Sequence, residues 1–278
     1  NNHTPGWYYD SYWHDYNKMY GRQNTRLSDS TVLYNKTTTG GQHQHRLDAL
    51  VSALNTFVSS VKDEASAEVN HKIAIVGFSS DKYDNTELLT GVSLKNGQKQ
   101  HDNNLARYYP NGTTKINGVS TPTNQQYKNA LQDMSTVAGQ ESVSDAINAL
   151  TAHGGTYTND GLKMASEIFK NNSTEGTTRK RVVILFTDGE TDSHKNMTKA
   201  TAKNLKETYG ATVFTVGLFD EKTTTYDSFM ESLSSNTATD KKYYLRASDA
   251  ASLNAVFQQI QQQVSALTVN ADSSAVLT

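Results

Sequence analysis

The sequence feature that most constrains the fold is a set of short, continuous apolar runs that are rich in β-branched residues. They are KIAIVGFSS from Lys72, RVVILFT from Arg181 and ATVFTVGL from Ala211. Runs of this length are typical of strands covered on both faces, because a strand with one wet face alternates polar and apolar residues. A parallel sheet with helices on both sides covers its strands in this way.

Segments with helical periodicity separate these runs. Apolar residues recur at spacings of three and four from Leu47 to Val61, which predicts an amphipathic helix over about 44–65. Further helices are predicted over YKNALQDM, SVSDAINAL, GLKMASEIF (161–169), about 194–209, about 225–235 and about 249–266, and further strands over TELLTGVSL (86–94) and KYYLRA. The alternation predicts an α/β fold with a mostly parallel central sheet flanked by helices and interrupted by long loop insertions. Ligands of such folds bind at the carboxyl ends of the strands.

Charge, hydropathy and cysteine content exclude several classes of function. Lys and Arg number 26 against 28 Asp and Glu, so the net charge of −2 gives no field that would attract nucleic acid. No apolar stretch approaches the roughly 18 residues of a membrane span, so no membrane insertion is expected. The absence of cysteine excludes disulfides and thiol chemistry. Cysteine-free chains rich in Ser, Thr, Asn and Tyr resemble exported proteins of Gram-positive bacteria, which predicts an extracellular location.

Asp188 follows the apolar run VVILF after a single threonine, Thr187, and is followed by Gly189. This order predicts a carboxylate on a turn at the ligand crevice. A tight Asp-Gly turn without any function explains the same pair of residues.

Two threonines follow a glycine pair in HGGTYTNDGL, just before a predicted helix. Capping of that helix is the better explanation for Thr158. For Thr156, directly behind Gly155, a hydroxyl that points into the crevice is at least as well supported.

Together, GGTYT and FTDGE resemble two of the metal-site loops of the von Willebrand factor A (VWA) family. Members of that family have a Rossmann-like fold and a metal-ion-dependent adhesion site. The resemblance covers roughly residues 45–80 and 140–266. It implies a VWA domain over 45–266 with an insertion at about 81–125, an irregular aromatic-rich insertion at 1–44, and the start of a following segment or a tail at 267–278.

The family's Asp-x-Ser-x-Ser metal loop is absent from this chain. The favoured explanation is that the chain begins just after that loop, and the rival explanation is a degenerate domain without a metal site. The resemblance implies that the missing serines, Thr156 and Asp188 together hold Mg²⁺, or Mn²⁺ or Ca²⁺, and that this chain alone binds the ion weakly. Gly155, Tyr157 and Glu190 are the predicted ligand-binding rim.

Aromatic residues crowd the first 20 positions, with Trp7 and Trp13 as the largest. Such rings suit protein or glycan contact surfaces, and they equally suit a small core of their own. An alternative function is therefore carbohydrate binding by this aromatic loop, with a vestigial metal site.

No catalytic motif competes with the adhesion hypothesis, because the chain has no G-x-S-x-G elbow, no P-loop and no G-x-G-x-x-G after a strand. The acidic groups Asp188, Glu190 and Asp192 leave a metal-dependent hydrolase as a minor alternative. The sequence thus predicts a non-enzymatic adhesion module of a bacterial cell wall or pilus. Its expected partners are a host or extracellular-matrix protein and the other domains of its parent surface protein.

Overall fold

The computed structural model describes residues 37–38, 41–42, 46–64, 70–78, 86–94, 107–108, 115–116, 119–151, 156–173, 179–187, 194–218, 224–268 and 273–277. The helices within these ranges are α1 (Arg46–Glu64), α2 (Asn124–Asn129), α3 (Val137–Ala149), α4 (Thr158–Asn171), α5 (Lys195–Glu207), α6 (Asp227–Leu233) and α7 (Ala250–Thr268). The strands are β1 (Thr37–Thr38), β2 (Gly41–Gln42), β3 (His71–Gly77), β4 (Thr86–Leu88), β5 (Arg107–Tyr108), β6 (Lys115–Ile116), β7 (Val119–Ser120), β8 (Gln132–Asp133), β9 (Lys180–Thr187), β10 (Thr212–Leu218), β11 (Tyr244–Ala247) and β12 (Ser273–Leu277).

The central sheet is mostly parallel, as the sequence predicts. Its strand order is β11-β10-β9-β12-β3-β4-β5, and β8 also pairs with β3. The pairs from β11 to β3 are parallel, whereas β4, β5 and β8 pair in the antiparallel direction. The α/β, Rossmann-like fold with helices around a mostly parallel sheet is therefore confirmed.

Helices cover both faces of this sheet and give two apolar layers. Alternate residues of β3 enter opposite layers, so Ile73 and Ile75 face one side while Ala74 and Val76 face the other. The first layer includes α1, α3 and α7, and the second includes α2, α4, α5 and α6. This arrangement explains why the strand sequences are apolar throughout.

Helix α1 carries the predicted apolar stripe on its buried face. Phe57 of α1 contacts Phe257 of α7 with 5.4 Å between ring centroids, and Phe257 stacks on Phe186 of β9 at 5.0 Å. Aromatic pairs of this kind stabilise a core beyond the area that they bury. Among the described residues, no helix combines the length and the apolar character that crossing a membrane requires.

Two predicted elements are shorter than the sequence pattern indicated. The strand predicted over 86–94 ends at Leu88, because Gly91 turns the chain at φ 73 and a Cβ there would lie 2.7 Å from the backbone of Ala130. The helix predicted over YKNALQDM ends at Asn129. Gln132 and Asp133 instead pair with the edge of β3 at a point that β4 does not reach, and so satisfy backbone groups there.

The two ends of the chain also differ from the expectation. Within the segment predicted to be irregular, β1 and β2 form an antiparallel pair, while residues 1–36 lie outside the described residues. The sequence predicts the start of a following segment or a tail at residues 267–278. In the structure, α7 continues to Thr268 and β12 lies between β9 and β3 in the middle of the sheet.

Candidate functional site

The carboxyl edge of the sheet is the edge where β3, β9 and β10 end and where α4 and α5 begin. The three strands run in one direction, because β12 joins β3 to β9 in parallel and β10 pairs with β9 in parallel. Helix α4 runs in the opposite direction: Arg181, at the start of β9, donates hydrogen bonds to the carbonyls of Phe169 and Asn172 at the end of α4. The first turn of α4 therefore lies at the carboxyl edge.

Gly161 brings this first turn against the end of β3. A Cβ at Gly161 would lie 3.0 Å from Cδ1 of Phe78, the residue that follows β3. Few real side chains tolerate so short a contact, so glycine permits this close approach without movement of the ring.

Three consecutive polar residues of the first turn of α4 are almost fully buried. Thr158 and Asn159 are each 1% exposed, and Asp160 is 3% exposed. Asn159 Oδ1 accepts a hydrogen bond of 2.8 Å from Thr201 Oγ1 of α5. Among the residues that the structure describes, the Thr158 hydroxyl has no hydrogen-bond partner. A buried hydroxyl in that state destabilises a protein by about 1–3 kcal/mol, which requires an explanation.

The prediction that Thr158 caps the helix is wrong. The residue at the N-cap position of α4 is Tyr157, and no side chain makes a capping hydrogen bond there. A capping hydroxyl belongs to the residue before the first helical residue, and Thr158 is already that first residue. Its burial is therefore not explained by the helix itself.

Thr156 and Tyr157 are the two described residues immediately before α4. Thr156 is partly exposed, whereas Tyr157 is 6% exposed. The Tyr157 ring meets the ring of His194 edge-on, with 5.1 Å between centroids, and His194 directly precedes α5. The Tyr157 ring thus joins the starts of two helices, and its predicted role in ligand contact stays a prediction.

An open groove of about 300 Å³ lies beside this contact and is lined by residues 194–197 at the start of α5. The Lys195 ammonium lies 5.9 Å from the centroid of the Phe229 ring, which is a favourable cation–π distance. Met197 is an exposed apolar side chain. The groove therefore offers a positive charge and apolar surface next to Tyr157.

Several predicted site residues lie outside the described residues, namely Asp188, Gly155, Glu190, Trp7 and Trp13. In the sequence, Asp188 directly follows Thr187, the last residue of β9, and Gly155 directly precedes Thr156. Their roles stay predictions.

The donor atoms at the carboxyl edge are of the type that a hard divalent cation prefers. Mg²⁺ binds oxygen, and Thr156 and Thr158 both provide hydroxyl oxygens at the start of α4. Within the described ranges, no three His, Cys, Asp or Glu side chains are grouped in a way that would hold a metal ion. The carboxylate ligand that the sequence predicts is Asp188, which lies outside the described residues. The buried, unpartnered hydroxyl of Thr158 agrees with an oxygen-donor site at this position.

No sequence pattern indicates that Asn159 and Asp160 belong to this edge. The letters T-N-D before an apolar stripe are typical of an exposed helix start, where such residues cap or face water. Here the packing of α4 against α5 and β3 buries them. No local pattern encodes that packing.

Comparison with known proteins relates the chain to one domain family. Residues 123–263, just over half of the chain, match the von Willebrand factor type A domain. No curated protein sequence matches the chain.

Solved structures with a similar fold include two crystal structures of the pilus adhesin SpaC from Lactobacillus rhamnosus GG. One matches with a TM-score of 0.51 at 16% identity, and the open conformation with a TM-score of 0.51 at 17% identity. A von Willebrand factor type A structure from Catenulispora acidiphila matches with a TM-score of 0.44 at 16% identity, over 78% of this chain and 38% of that one. Each SpaC match covers 79% of this chain and 28% of SpaC, so this chain corresponds to a minor part of that adhesin's length.

Proposed function

The chain belongs to the von Willebrand factor type A domain family, and on that premise we propose that it is an adhesion domain that binds a protein partner through a divalent metal ion. The binding site is the carboxyl edge of the sheet. The observation that carries the proposal is the start of α4, where Thr156 and the buried, unpartnered hydroxyl of Thr158 lie at the same edge at which β9 ends before Asp188.

Thr156 and Asp188 are the residues that would hold the ion. A hard cation with an incomplete oxygen shell supplies an open coordination position that a carboxylate of the partner can fill. The chain's own residues orient this site: Gly161 seats the first turn of α4 against Phe78, and the Asn159–Thr201 bond fixes α4 to α5. The free N–H groups and the positive end of the α4 dipole also favour a negative group at this edge.

The loops around the edge would set which partner binds, because an ion and a carboxylate discriminate little by themselves. The groove at residues 194–197, with Lys195 and the exposed Met197, would contact protein surface beside the ion.

The expected partner is a host or extracellular-matrix protein. The Gram-positive cell wall or pilus is the expected location, which the fold shared with a pilus adhesin supports.

The proposed domain binds and does not catalyse. The sequence has no G-x-S-x-G elbow, no P-loop and no G-x-G-x-x-G after a strand. Turnover of any substrate that is lost on Asp188→Ala would count against this part of the proposal.

Calorimetric titration with MgCl₂ and with MnCl₂ tests the metal site. The intact chain is expected to bind one ion weakly, with a dissociation constant on the order of 10⁻³ M. Thr156→Val and Asp188→Ala should each abolish the binding heat, and excess EDTA should reverse it. Thr208→Val is the matched control, because Thr208 is an exposed threonine at the far end of α5.

Equal binding by Thr156→Val and the intact chain would contradict the proposed ligand set. If adhesion to immobilised protein or glycan survives EDTA and is lost on Trp7→Ala or Trp13→Ala, the carbohydrate-binding alternative replaces the metal-bridged one.

A further inference from the structure

Helix α5 carries an excess of positive charge. It contains four lysines and one acidic residue, Glu207. Three of the lysines, Lys195, Lys199 and Lys203, are exposed and follow one another at intervals of four residues. Residues at this interval lie on the same side of a helix and are about 6 Å apart along its axis. They form a row about 12 Å long, which we call the lysine row.

The described residues neutralise little of this charge. None of them forms an ion pair with Lys195 or Lys199, and Lys203 pairs with Glu207 at 3.8 Å between two exposed side chains. Exposed pairs of this kind contribute little to stability. The fourth lysine of α5, Lys206, has a structural role, because its ammonium donates hydrogen bonds to two carbonyls at the end of α6. Among the described residues, no hydrogen bond of this kind engages the lysine row.

The neighbouring helix α6 has acidic side chains, but they have other partners. Helix α6 packs against α5. Its Asp227 pairs with Arg246 of β11 at 2.9 Å, and its Glu231 pairs with Lys241 at 3.4 Å. The packing of α6 therefore leaves the positive charge of the lysine row in place.

The lysine row is unfavourable for the stability of α5. Like charges four residues apart repel each other, and a cation at the first residue of a helix opposes the positive end of the helix dipole. Lys195 is that first residue, and the first turn of α5 has neither an acidic residue nor a side-chain cap. Exposed helix faces that serve solubility usually alternate positive and negative charges. A negatively charged partner therefore explains the row better than solubility does.

The spacing of the row and its surroundings indicate the kind of partner. Alternate side chains of an extended peptide lie about 6.7 Å apart on one face, which is close to the spacing of the lysines. The row begins at the groove lined by residues 194–197, where Met197 is an exposed apolar side chain. A peptide offers acidic and apolar side chains together, whereas a sulfated glycan is polar along its whole length. The net charge of −2 gives no long-range attraction, so the row itself must attract the partner at short range.

We infer that the lysine row binds an acidic segment of a protein partner. The segment lies extended along α5, with carboxylates at alternate positions facing Lys195, Lys199 and Lys203. An apolar residue at its end enters the groove beside Met197. The contact needs no ion, so it is independent of the proposed metal site.

The test is a titration of the intact chain with the peptide LTETETET in EDTA, followed by amide NMR spectra. EDTA removes divalent ions, so failure of the metal site would not affect the result. The peptide should shift the amide signals of residues 195–203. Raising the salt concentration from about 0.01 M to about 1 M should abolish the shifts, because the screening length falls from about 30 Å to about 3 Å.

The control peptide is LTTTTEEE, which has the same composition and charge. Neighbouring side chains of an extended peptide point in opposite directions, so its three glutamates cannot all face the lysine row. It should bind at least threefold more weakly than LTETETET.

Variants of the chain test the row directly. Lys195→Gln, Lys199→Gln and Lys203→Gln should each weaken peptide binding at least threefold, and the triple variant should not bind. Lys199→Gln should resist urea at least as well as the intact chain, because it removes like-charge repulsion, so its loss of binding would not reflect unfolding. Lys62→Gln is the matched control, because Lys62 is an exposed lysine of α1 on the other face of the sheet. It changes the net charge equally and should leave binding unchanged.

The absence of shifts in α5 at low salt would overturn the inference. Equal binding of the two peptides would do the same, as would a loss of binding in Lys62→Gln equal to that in Lys199→Gln. A heparin disaccharide of about the same charge as the peptide gives one more result against it. If the disaccharide binds more tightly than LTETETET and the triple variant loses that binding, a sulfated glycan is the partner of the lysine row.

Discussion

At the scale of single residues, the Thr158 hydroxyl is a group whose placement is unfavourable for the stability of this domain. It is buried at the start of α4, and no described residue forms a hydrogen bond with it. A fold selected for stability alone would place an apolar group there, since an unsatisfied buried donor is unfavourable. Sequence rules that hold elsewhere in a fold tend to fail at functional sites, and this hydroxyl lies at the proposed metal site.

Thr158→Val tests this interpretation, because valine keeps the shape of threonine and removes the hydroxyl. In EDTA the variant should raise the free energy of unfolding by about 1 kcal/mol, measured by urea denaturation. Its affinity for Mg²⁺, measured by calorimetry, should fall, because the Thr158 hydroxyl would be an additional oxygen donor beside Thr156 and Asp188.

The matched control is Thr198→Val, in a buried threonine whose hydroxyl donates to the carbonyl of His194 at 3.0 Å. Here the same substitution removes a satisfied hydrogen bond and should lower the free energy of unfolding by about 1 kcal/mol. Destabilisation by Thr158→Val equal to that of the control would show that the Thr158 hydroxyl is satisfied in the folded protein.

Single residues of the site were predictable from the sequence to different degrees. Thr156 stands out because a glycine pair precedes it and a helix follows it. Thr158 was misassigned because a capping threonine and a buried one look alike in sequence. Asn159 and Asp160 carry no signal, since only the packing of α4 buries them.

At the scale of elements, hydrogen bonds at one end of α7 and at one end of α4 stabilise these two helices. Asp249 Oδ1 accepts a 2.7 Å hydrogen bond from the backbone N–H of Ser252, and Ser252 Oγ accepts one from the N–H of Asp249, which is a reciprocal cap of α7. At the far end of α4, the Arg181 guanidinium binds three carbonyls and lies over the rings of Phe169 and Tyr209. The two contacts fix helices on opposite faces of the sheet.

The cap of α7 predicts a pH-dependent stability. The hydrogen bond from the Ser252 backbone, and then that from its side chain, lower the pKa of Asp249 below its ordinary value. The contribution of a carboxylate with a lowered pKa is fully present above the unfolded pKa, which is about 3.9, and is lost as pH falls through the folded pKa. Asp249→Ala should therefore lower the free energy of unfolding by about 1 kcal/mol at pH 7. Its difference from the unaltered chain should shrink as pH falls below about 4.

Asp240→Ala is the control for this series, measured by urea denaturation at several pH values. Asp240 forms an ion pair with Lys242 at the surface, and such pairs contribute little, so the control should stay within about 0.5 kcal/mol at pH 7. A loss for Asp249→Ala that is constant from pH 7 to pH 3 would contradict the assignment of the charged carboxylate as the cap.

Most helices and apolar strands were predictable because their periodicity reflects which faces are buried. The prediction for α1 differs from Arg46–Glu64 by two residues or fewer at each end. The short antiparallel elements were not predictable in the same way. Strand β8 is set by the open edge of β3 rather than by its own two residues, Gln132 and Asp133.

At the scale of the whole molecule, the order of the strands was the least predictable feature. Apolar strands covered on both faces have similar sequences, so composition indicates that a sheet forms and leaves the neighbours undetermined. Strand β12 lies between β3 and β9, both of which are distant from it in sequence, so no local pattern indicates its position. The same topology places the start of α4 and the end of β9 at one edge, which makes the proposed metal site possible.

Paramagnetic broadening by Mn²⁺ in amide NMR spectra locates a bound ion without assuming its ligands. Low Mn²⁺ concentrations should broaden the amide signals of Thr156–Gly161 and Thr187 first, while those of Arg181 and Tyr209, at the opposite edge, stay sharp. EDTA should restore every signal, and Asp188→Ala should prevent the broadening. Broadening centred elsewhere, or uniform broadening that Asp188→Ala leaves unchanged, would contradict a metal site at the carboxyl edge.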